Sequence, residues 1–308
     1  MEQNERKKIA KNVLYIRISQ MLINEDYKEK KFKIPIHLAL GHESISIAVS
    51  KIMKESDKLI LTHRNVAYNL ARSGKLKPIL DEYYLKSSGL MQGKTGSMNL
   101  TNPKEGIIYS SSILGNNFAV ATGISFAEKM KDGGITIVLG GDGSLEEGTF
   151  HESLLMFKSL DLSTLMIIEN NEWSMSTRIH ERRHPINLEK FAEAYDIKFV
   201  RISGNDPFDY IEKLEKLRDI SLKTKSPILI EVMVNTLGDW ILKTPEIPDG
   251  KFVNYHAGPT PSIDLKKCQI KIKNNVDDPI FVLEKYFDEN EISKIAEETL
   301  RELKEEIK

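Results

Sequence analysis

The feature that most constrains this chain is a set of unbroken apolar, β-branched runs separated by longer amphipathic stretches. Ile135-Thr136-Ile137-Val138-Leu139, Thr164-Leu165-Met166-Ile167-Ile168 and Pro227-Ile228-Leu229-Ile230-Glu231-Val232 all lack polar alternation. A strand with one wet face alternates, so these runs predict strands covered on both faces, as in a parallel sheet. Lys198-Phe199-Val200-Arg201-Ile202 is a less apolar candidate. Helical spacing falls between them, at 116–130, 145–159, 188–195 and 207–223; Asp206 before Pro207 supplies the last with a cap and a first-turn proline. The βαβαβ order predicts a doubly wound α/β fold, a mostly parallel sheet with helices on both faces and right-handed crossovers.

The rest of the chain reads around that sheet. Residues from Glu5 to about Ser87 look mainly helical, with 1–60 as a helical N-terminal wrap. Residues 235–263 are rich in Gly, Pro and Asp and predict a long ordered loop. The tail from Glu289 to Lys308 interleaves Glu and Lys at helical spacing, as a solvated face or an oligomer contact. Among 308 residues, Lys plus Arg (44) nearly balances Asp plus Glu (45), so nothing draws the chain to nucleic acid or anionic lipid. No apolar run reaches about 18 residues and the start lacks an apolar signal core, so no membrane span is expected. The single Cys268 leaves no partner for an internal disulfide and no cysteine cage for a metal. These features predict a cytoplasmic protein whose metal, if it binds one, has oxygen ligands.

In an open α/β sheet, ligands sit beyond the carboxyl ends of the strands. Gly140-Gly141-Asp142-Gly143 follows one predicted strand directly, and Glu169-Asn170-Asn171 follows the next. The glycines allow close backbone approach to a phosphate, and the helix expected from about Leu145 points its N-terminus there. Mg²⁺ takes octahedral oxygen ligands. The Asp142 carboxylate, the Asn171 amide oxygen and a main-chain carbonyl near Trp173 would leave room for two diphosphate oxygens and a water. Either motif alone is a common turn or strand cap; the pair, after consecutive buried strands, favours a site.

Gly141-Asp142-Gly143 with Asn170-Asn171 resembles the thiamine diphosphate signature, Asn171 lying 29 residues after Asp142. Other segments are similar, in unbroken order from about Tyr15 to Val234, to the alpha subunits of 2-oxo acid dehydrogenases. They are His37-Leu38-Ala39-Leu40-Gly41-His42-Glu43, Thr62-His63-Arg64, Gly93-Lys94-Thr95-Gly96-Ser97-Met98 and Ile113-Leu114-Gly115. The resemblance implies that 1–308 is one diphosphate-binding domain, with an active-site loop and helical tail over 235–308. It implies thiamine diphosphate and Mg²⁺ as cofactors, with Asp142, Asn171 and the Trp173 carbonyl as metal ligands. Gly141, Gly143 and Ser144 would contact the diphosphate by backbone or hydroxyl, Arg64 would pair with a phosphate beside His63, and the backbone around Leu114 would hold the aminopyrimidine. Glu147 falls where related enzymes place an acid near the subunit contact, although a helix start also favours Glu.

The sequence departs from the family at its histidines. Val66 and Asn99 stand where the family has His, and Asn235-Thr236-Leu237-Gly238 replaces a His-Gly-His stretch. Tyr255-His256-Ala257-Gly258-Pro259 instead resembles a loop of transketolase-type enzymes. His256 is therefore either a replacement proton-transfer or phosphate-contacting residue or a loop histidine packed under the tail. Arg178, Arg182 and Arg183 form either a solvated basic loop or one that closes on cofactor, substrate or partner. His151, His180 and His184 read as structural or surface residues.

Thiamine catalysis needs a glutamate on the cofactor's pyrimidine, which the family supplies from a separate domain. A chain of this length has room for the diphosphate half only, and Glu43 belongs to the alpha-subunit motif. The resemblance therefore implies an alpha subunit, inactive alone, that decarboxylates a 2-oxo acid with a beta-type pyrimidine-binding subunit, as α₂β₂. Two alternatives stay open: the N-terminal subunit of a split transketolase-like or carboligating enzyme acting on a ketose, and a non-catalytic cofactor-binding subunit.

Overall fold

Six strands form one parallel sheet, and their alternating side chains require a covering layer on each face. The computed structural model describes residues 2–131, 133–261, 263–265 and 269–308; Cys268 lies outside the described residues. Helices α1 (Gln3–Lys28) and α2 (Glu43–Ile52) precede β1 (Lys58–Thr62), α3 (Val66–Ser73), α4 (Lys77–Tyr83) and β2 (Ile107–Ser111). Then come α5 (Asn116–Met130), β3 (Thr136–Gly141), α6 (Gly148–Ser159) and β4 (Thr164–Asn170). A two-residue pair, β5 (Trp173–Ser174) and β6 (Thr177–Arg178), leads through α7 (Ile179–Arg182), α8 (Leu188–Ala194), β7 (Lys198–Ile202) and α9 (Pro207–Thr224) to β8 (Ile228–Met233). The antiparallel pair β9 (Asp239–Thr244) and β10 (Ile247–Asn254) follows, then α10 (Pro279–Leu283) and α11 (Glu289–Glu306).

The sheet order is β2-β1-β3-β4-β8-β7, with every neighbouring pair parallel. Successive strand residues point to opposite faces. Leu59, Leu61, Ile137, Leu139, Leu165 and Ile167 join one core with α1, α2 and α9. Ile60, Val138, Met166 and Ile168 join another with Phe118 of α5 and Phe150 of α6. Full burial of each such side chain contributes about 1.5–3 kcal/mol, which fixes the register. The expected fold class is the observed one. Asp206 caps α9 as its position suggests, accepting from the N–H groups of Phe208 (3.0 Å) and Asp209 (3.3 Å).

Several expectations need correction. The N-terminal part is mainly helical as expected, but the 1–60 wrap runs into β1, an interior strand of the sheet; the apolar core of Lys58-Leu59-Ile60-Leu61-Thr62 is too short to show a period. The segment after β8 is not only loop, since β9 and β10 pair within it. The helix expected from Leu145 begins at Gly148, after a 3₁₀ turn over Asp142–Glu146. The tail helix α11 is not merely solvated: Ile292, Ala296, Thr299 and Leu303 are buried, and Lys7 and Lys11 of α1 pair with its Glu291 and Glu302.

Candidate active site

The order β2-β1-β3-β4 reverses direction between β1 and β3, and a crevice opens at the carboxyl ends of strands at such a point. Here it is a cavity of about 330 Å³. Each strand delivers a piece of its wall. The end of β1 gives Thr62, His63 and Arg64; β2 leads to Ser111–Gly115; β3 gives Gly140 to Ser144; β4 gives Glu169 and, just past its end, Asn171. Asn117 ties the point of reversal together, donating through Nδ2 to the carbonyls of Leu61 (2.8 Å) and Leu139 (3.1 Å). Tyr255 and His256 close the wall from the far end of the chain.

Asp142 is 1% exposed. Burial raises its carboxyl above the ordinary value, and Arg182 offsets only part of that. Arg182 donates to Asp142 Oδ2 through Nη2 and to Glu146 (2.7 Å) through Nη1, while Arg183 donates to Glu146 (3.0 Å). Arg178 stacks over the Trp173 ring at 4.8 Å. The basic loop is thus folded onto the Asp142 carboxylate rather than solvated. Asn171 donates through Nδ2 to Thr236 Oγ1 (3.0 Å) and Asn254 Oδ1 (3.2 Å), while its Oδ1 accepts from Trp173 N (3.1 Å).

The glycines fit their place. A Cβ on Gly141 would meet nothing within 4 Å, so that backbone borders open space, whereas one on Gly143 would stand 2.8 Å from Ser174 Oγ. The Ser144 hydroxyl is turned inward, donating to Gly141 O at 2.5 Å. At the start of the 3₁₀ turn the N–H groups of Asp142 and Gly143 have no acceptor within the turn, which leaves them for a ligand. A buried carboxylate already facing a cation and a carboxamide oxygen form an oxygen-donor pair that suits Mg²⁺, and N–H groups at a turn start suit a diphosphate.

Three histidines meet on the opposite wall. Ring centroids lie 4.7 Å apart for His37 and His63, 5.3 Å for His37 and His256, and 5.9 Å for His63 and His256. Burial foremost, then the Arg64 charge, lowers His37 to about 3, His63 to about 2 and His256 to about 4, from 6.5. All three are neutral near pH 7. His37 Nδ1 and His63 Nε2 are buried with no hydrogen-bond partner. Arg64 donates to the carbonyls of Leu38 and His256, the latter at 3.1 Å. Its five donors are not exhausted by these two acceptors.

The cavity therefore collects His63, Arg64, Leu114, Gly141, Asp142, Gly143, Ser144, Asn171, Trp173 and His256. His256 belongs to this wall and is not packed under the tail. Glu147 is not brought in: it is exposed at the start of α6 and borders the cavity only indirectly, because a Cβ on Gly115 would lie 2.5 Å from its own Cβ. His151 packs between Phe150 and Phe191, and His180 and His184 are exposed. Sequence reading missed His37, His42, Glu169 and Thr236 as site residues. Their only signal was a place in or beside a quoted motif.

A family model described as "Dehydrogenase E1 component" matches residues 10–236. The chain belongs to this family. That is the thiamine diphosphate-dependent 2-oxo acid dehydrogenase alpha family which the motifs resembled. Among its relatives, the alpha subunit of acetoin:2,6-dichlorophenolindophenol oxidoreductase from Bacillus subtilis (strain 168) is 27% identical over 199 residues, covering 64% of this chain and 60% of the relative. The chloroplastic pyruvate dehydrogenase E1 component subunit alpha-3 of Arabidopsis thaliana is 24% identical over 278 residues, covering 88% and 61%. The chain thus spans about 60% of the length of these relatives. Transketolase from Campylobacter jejuni superposes with a TM-score of 0.58 at 15% identity, over 99% of this chain and 49% of that one; at that identity the likeness concerns the fold.

Proposed function

We propose that this family member is the diphosphate-binding alpha subunit of a thiamine diphosphate-dependent, 2-oxo acid dehydrogenase-like enzyme, acting with a beta-type partner. The observation that carries the reading is the placement of Asp142 and Asn171 at the ends of adjacent strands, on one cavity at the point where the strand order reverses. Asp142, Asn171 and the main chain at Trp173 would hold Mg²⁺. Gly141, Gly143, Ser144 and Arg64 would hold the diphosphate. Bound there, thiamine diphosphate supplies the electron sink for loss of carbon dioxide from a 2-oxo acid. The chain's own residues bind and orient: Arg64 offers a fixed fork to an anion, and neutral His63 and His256 can each donate or accept a proton at a ring nitrogen.

Exposed Ile113 (67%), Leu114 (48%) and Met175 (60%) at the cavity mouth suit coverage by another subunit. An α₂β₂ assembly and a cytoplasmic location belong to the same reading. The neutral histidine trio favours a second reading, a split transketolase-like carboligase, because such groups suit the hydroxyls of a ketose or aldehyde.

Calorimetry with thiamine diphosphate and Mg²⁺, on the chain with its beta-type subunit, tests the cofactor; absence of uptake would sink the proposal. Turnover of 2-oxo acids with an artificial electron acceptor, against ketol formation with an aldehyde, separates the two reactions.

A further inference from the structure

Asn171 can serve a metal only if its carboxamide oxygen, and not its NH₂, faces the ion. Two hydrogen-bond chains converge on that amide, each ending at an acceptor-only carboxylate. In the first, Tyr68 Oη donates to Glu169 Oε1 (2.8 Å), and His42 Nδ1 faces the same oxygen at 2.9 Å. Burial, reinforced by Glu169, pushes the Tyr68 phenol well up, so it stays a donor. A carboxylate opposite Nδ1 requires the proton on Nδ1. The Nδ1-protonated tautomer leaves Nε2 as the acceptor, and Thr236 Oγ1 stands 2.9 Å from it. With its proton committed, the Thr236 hydroxyl can only accept from Asn171 Nδ2, at 3.0 Å.

The second chain has the same sense. Asp277 Oδ2 accepts from Asn235 Nδ2 (3.3 Å), which turns Asn235 Oδ1 toward Asn254 Nδ2 (3.2 Å). Asn254 Oδ1 in turn accepts from Asn171 Nδ2, at 3.2 Å. Both hydrogens of the Asn171 amide are drawn to one side, and Oδ1, which accepts from Trp173 N (3.1 Å) in the same sense and keeps a second lone pair, is left on the other. The first chain is well shielded from competing water: Thr236 is 1%, His42 3% and Glu169 7% exposed.

We propose that these two one-way chains set the flip state of the Asn171 amide, making His42 and Thr236 positioning residues for the metal site. The proposal rests on the functional reading above. With an apolar residue at 42, the Thr236 hydroxyl is free to donate to Asn171, and the amide can turn its NH₂ toward the ion. A glutamine at 42 can likewise present a donor toward Glu169 and an acceptor toward Thr236.

The test is Mn²⁺ affinity in the presence of thiamine diphosphate, read by electron paramagnetic resonance on the full chain with its beta-type subunit. Thr236→Val and His42→Leu should each weaken Mn²⁺ about 10- to 100-fold, whereas Thr236→Ser and His42→Gln should stay within about threefold of wild type. Thermal unfolding separates this from a folding defect; should Thr236→Val not fold, His42→Leu and the half-buried Asp277→Leu decide. Wild-type uptake that His42→Leu and Asp277→Leu leave unchanged overturns the proposal alone. A wild-type complex that takes up no Mn²⁺ overturns the functional reading and the proposal with it.

Discussion

Among the clusters of buried charge in the described residues, two are finished to different degrees. At the junction of α1, α2 and α10, Arg17 donates to Glu43 (2.7 and 3.2 Å), to Asp278 (3.0 and 3.4 Å) and to Ile270 O (2.7 Å). Glu43 also accepts from Gly41 N, and Asp278 from the N–H groups of Ile272, Lys273 and Ile280. All three side chains are fully buried. At the cavity, Asp142 is held by Arg182 at the end of α7, two imidazole nitrogens have no partner, and Arg64 keeps donors in reserve. A cluster whose polar groups are all paired locks architecture, whereas one with converging unpaired groups is shaped for something else. Glu43 accordingly belongs to the scaffold.

The largest expected effect lies in the closed cluster. Arg17→Met leaves two buried carboxylates without a counter-charge and should lower stability by about 3–5 kcal/mol. Denaturant titration measures it, and a loss below about 1 kcal/mol would break the distinction. The open cluster should behave oppositely. A carboxyl raised on folding weakens the folded state wherever it is ionised, so removing the Asp142 charge relieves a cost at pH 7. Asp142→Asn should leave the cofactor-free chain as stable or about 1 kcal/mol more stable. The same change should cut metal-dependent thiamine diphosphate uptake by roughly 100-fold or more, beyond what loss of a supporting residue costs. Destabilisation with uptake retained would place Asp142 in the scaffold.

The same contrast explains what could be read from the chain. β3, β4 and β8 announce themselves because burial on both faces leaves little room for polar residues, and β3 and β4 end in polar turns that expose Asp142 and Asn171 as candidates. β1 escaped notice because three apolar residues show no period, and β2 because Ile107-Ile108-Tyr109-Ser110-Ser111 is an edge strand with mixed surroundings. The pair β9 and β10 was hidden by Pro248, Asp249 and Gly250, which read as loop. The supporting network was illegible for a different reason: His42 meets Glu169 across 127 residues and Thr236 across 194. No local pattern encodes a contact that only the closure of the sheet creates. The histidine wall is similar, since His37, His63 and His256 come from three separate loops.

The smallest effect sharpens the comparison by pH. Unfolded histidines take up protons near 6.5, whereas His256 in the cavity does so near 4, held down by burial and then by Arg64. Between those values the unfolded chain binds more protons, so stability rises with pH from about 4 to 6.5 and is level above. His37 and His63, at about 3 and 2, act in the same direction over a wider range. His256→Gln should therefore leave stability at pH 7 nearly unchanged and recover roughly 1–2 kcal/mol of the loss at pH 5, a figure trimmed for residual solvent screening. Thermal unfolding of both proteins at the two pH values measures this. The closed cluster gives a slope of the same sign from a favourable interaction rather than a cost: Asp278 is held low by Arg17 against the effect of burial, so its support is complete above the ordinary carboxylate range and is lost as pH falls through its lower folded value. A His256→Gln protein with the wild-type slope between pH 5 and 7 would mean that water reaches this imidazole freely, and the cavity wall would then be as solvated as any loop.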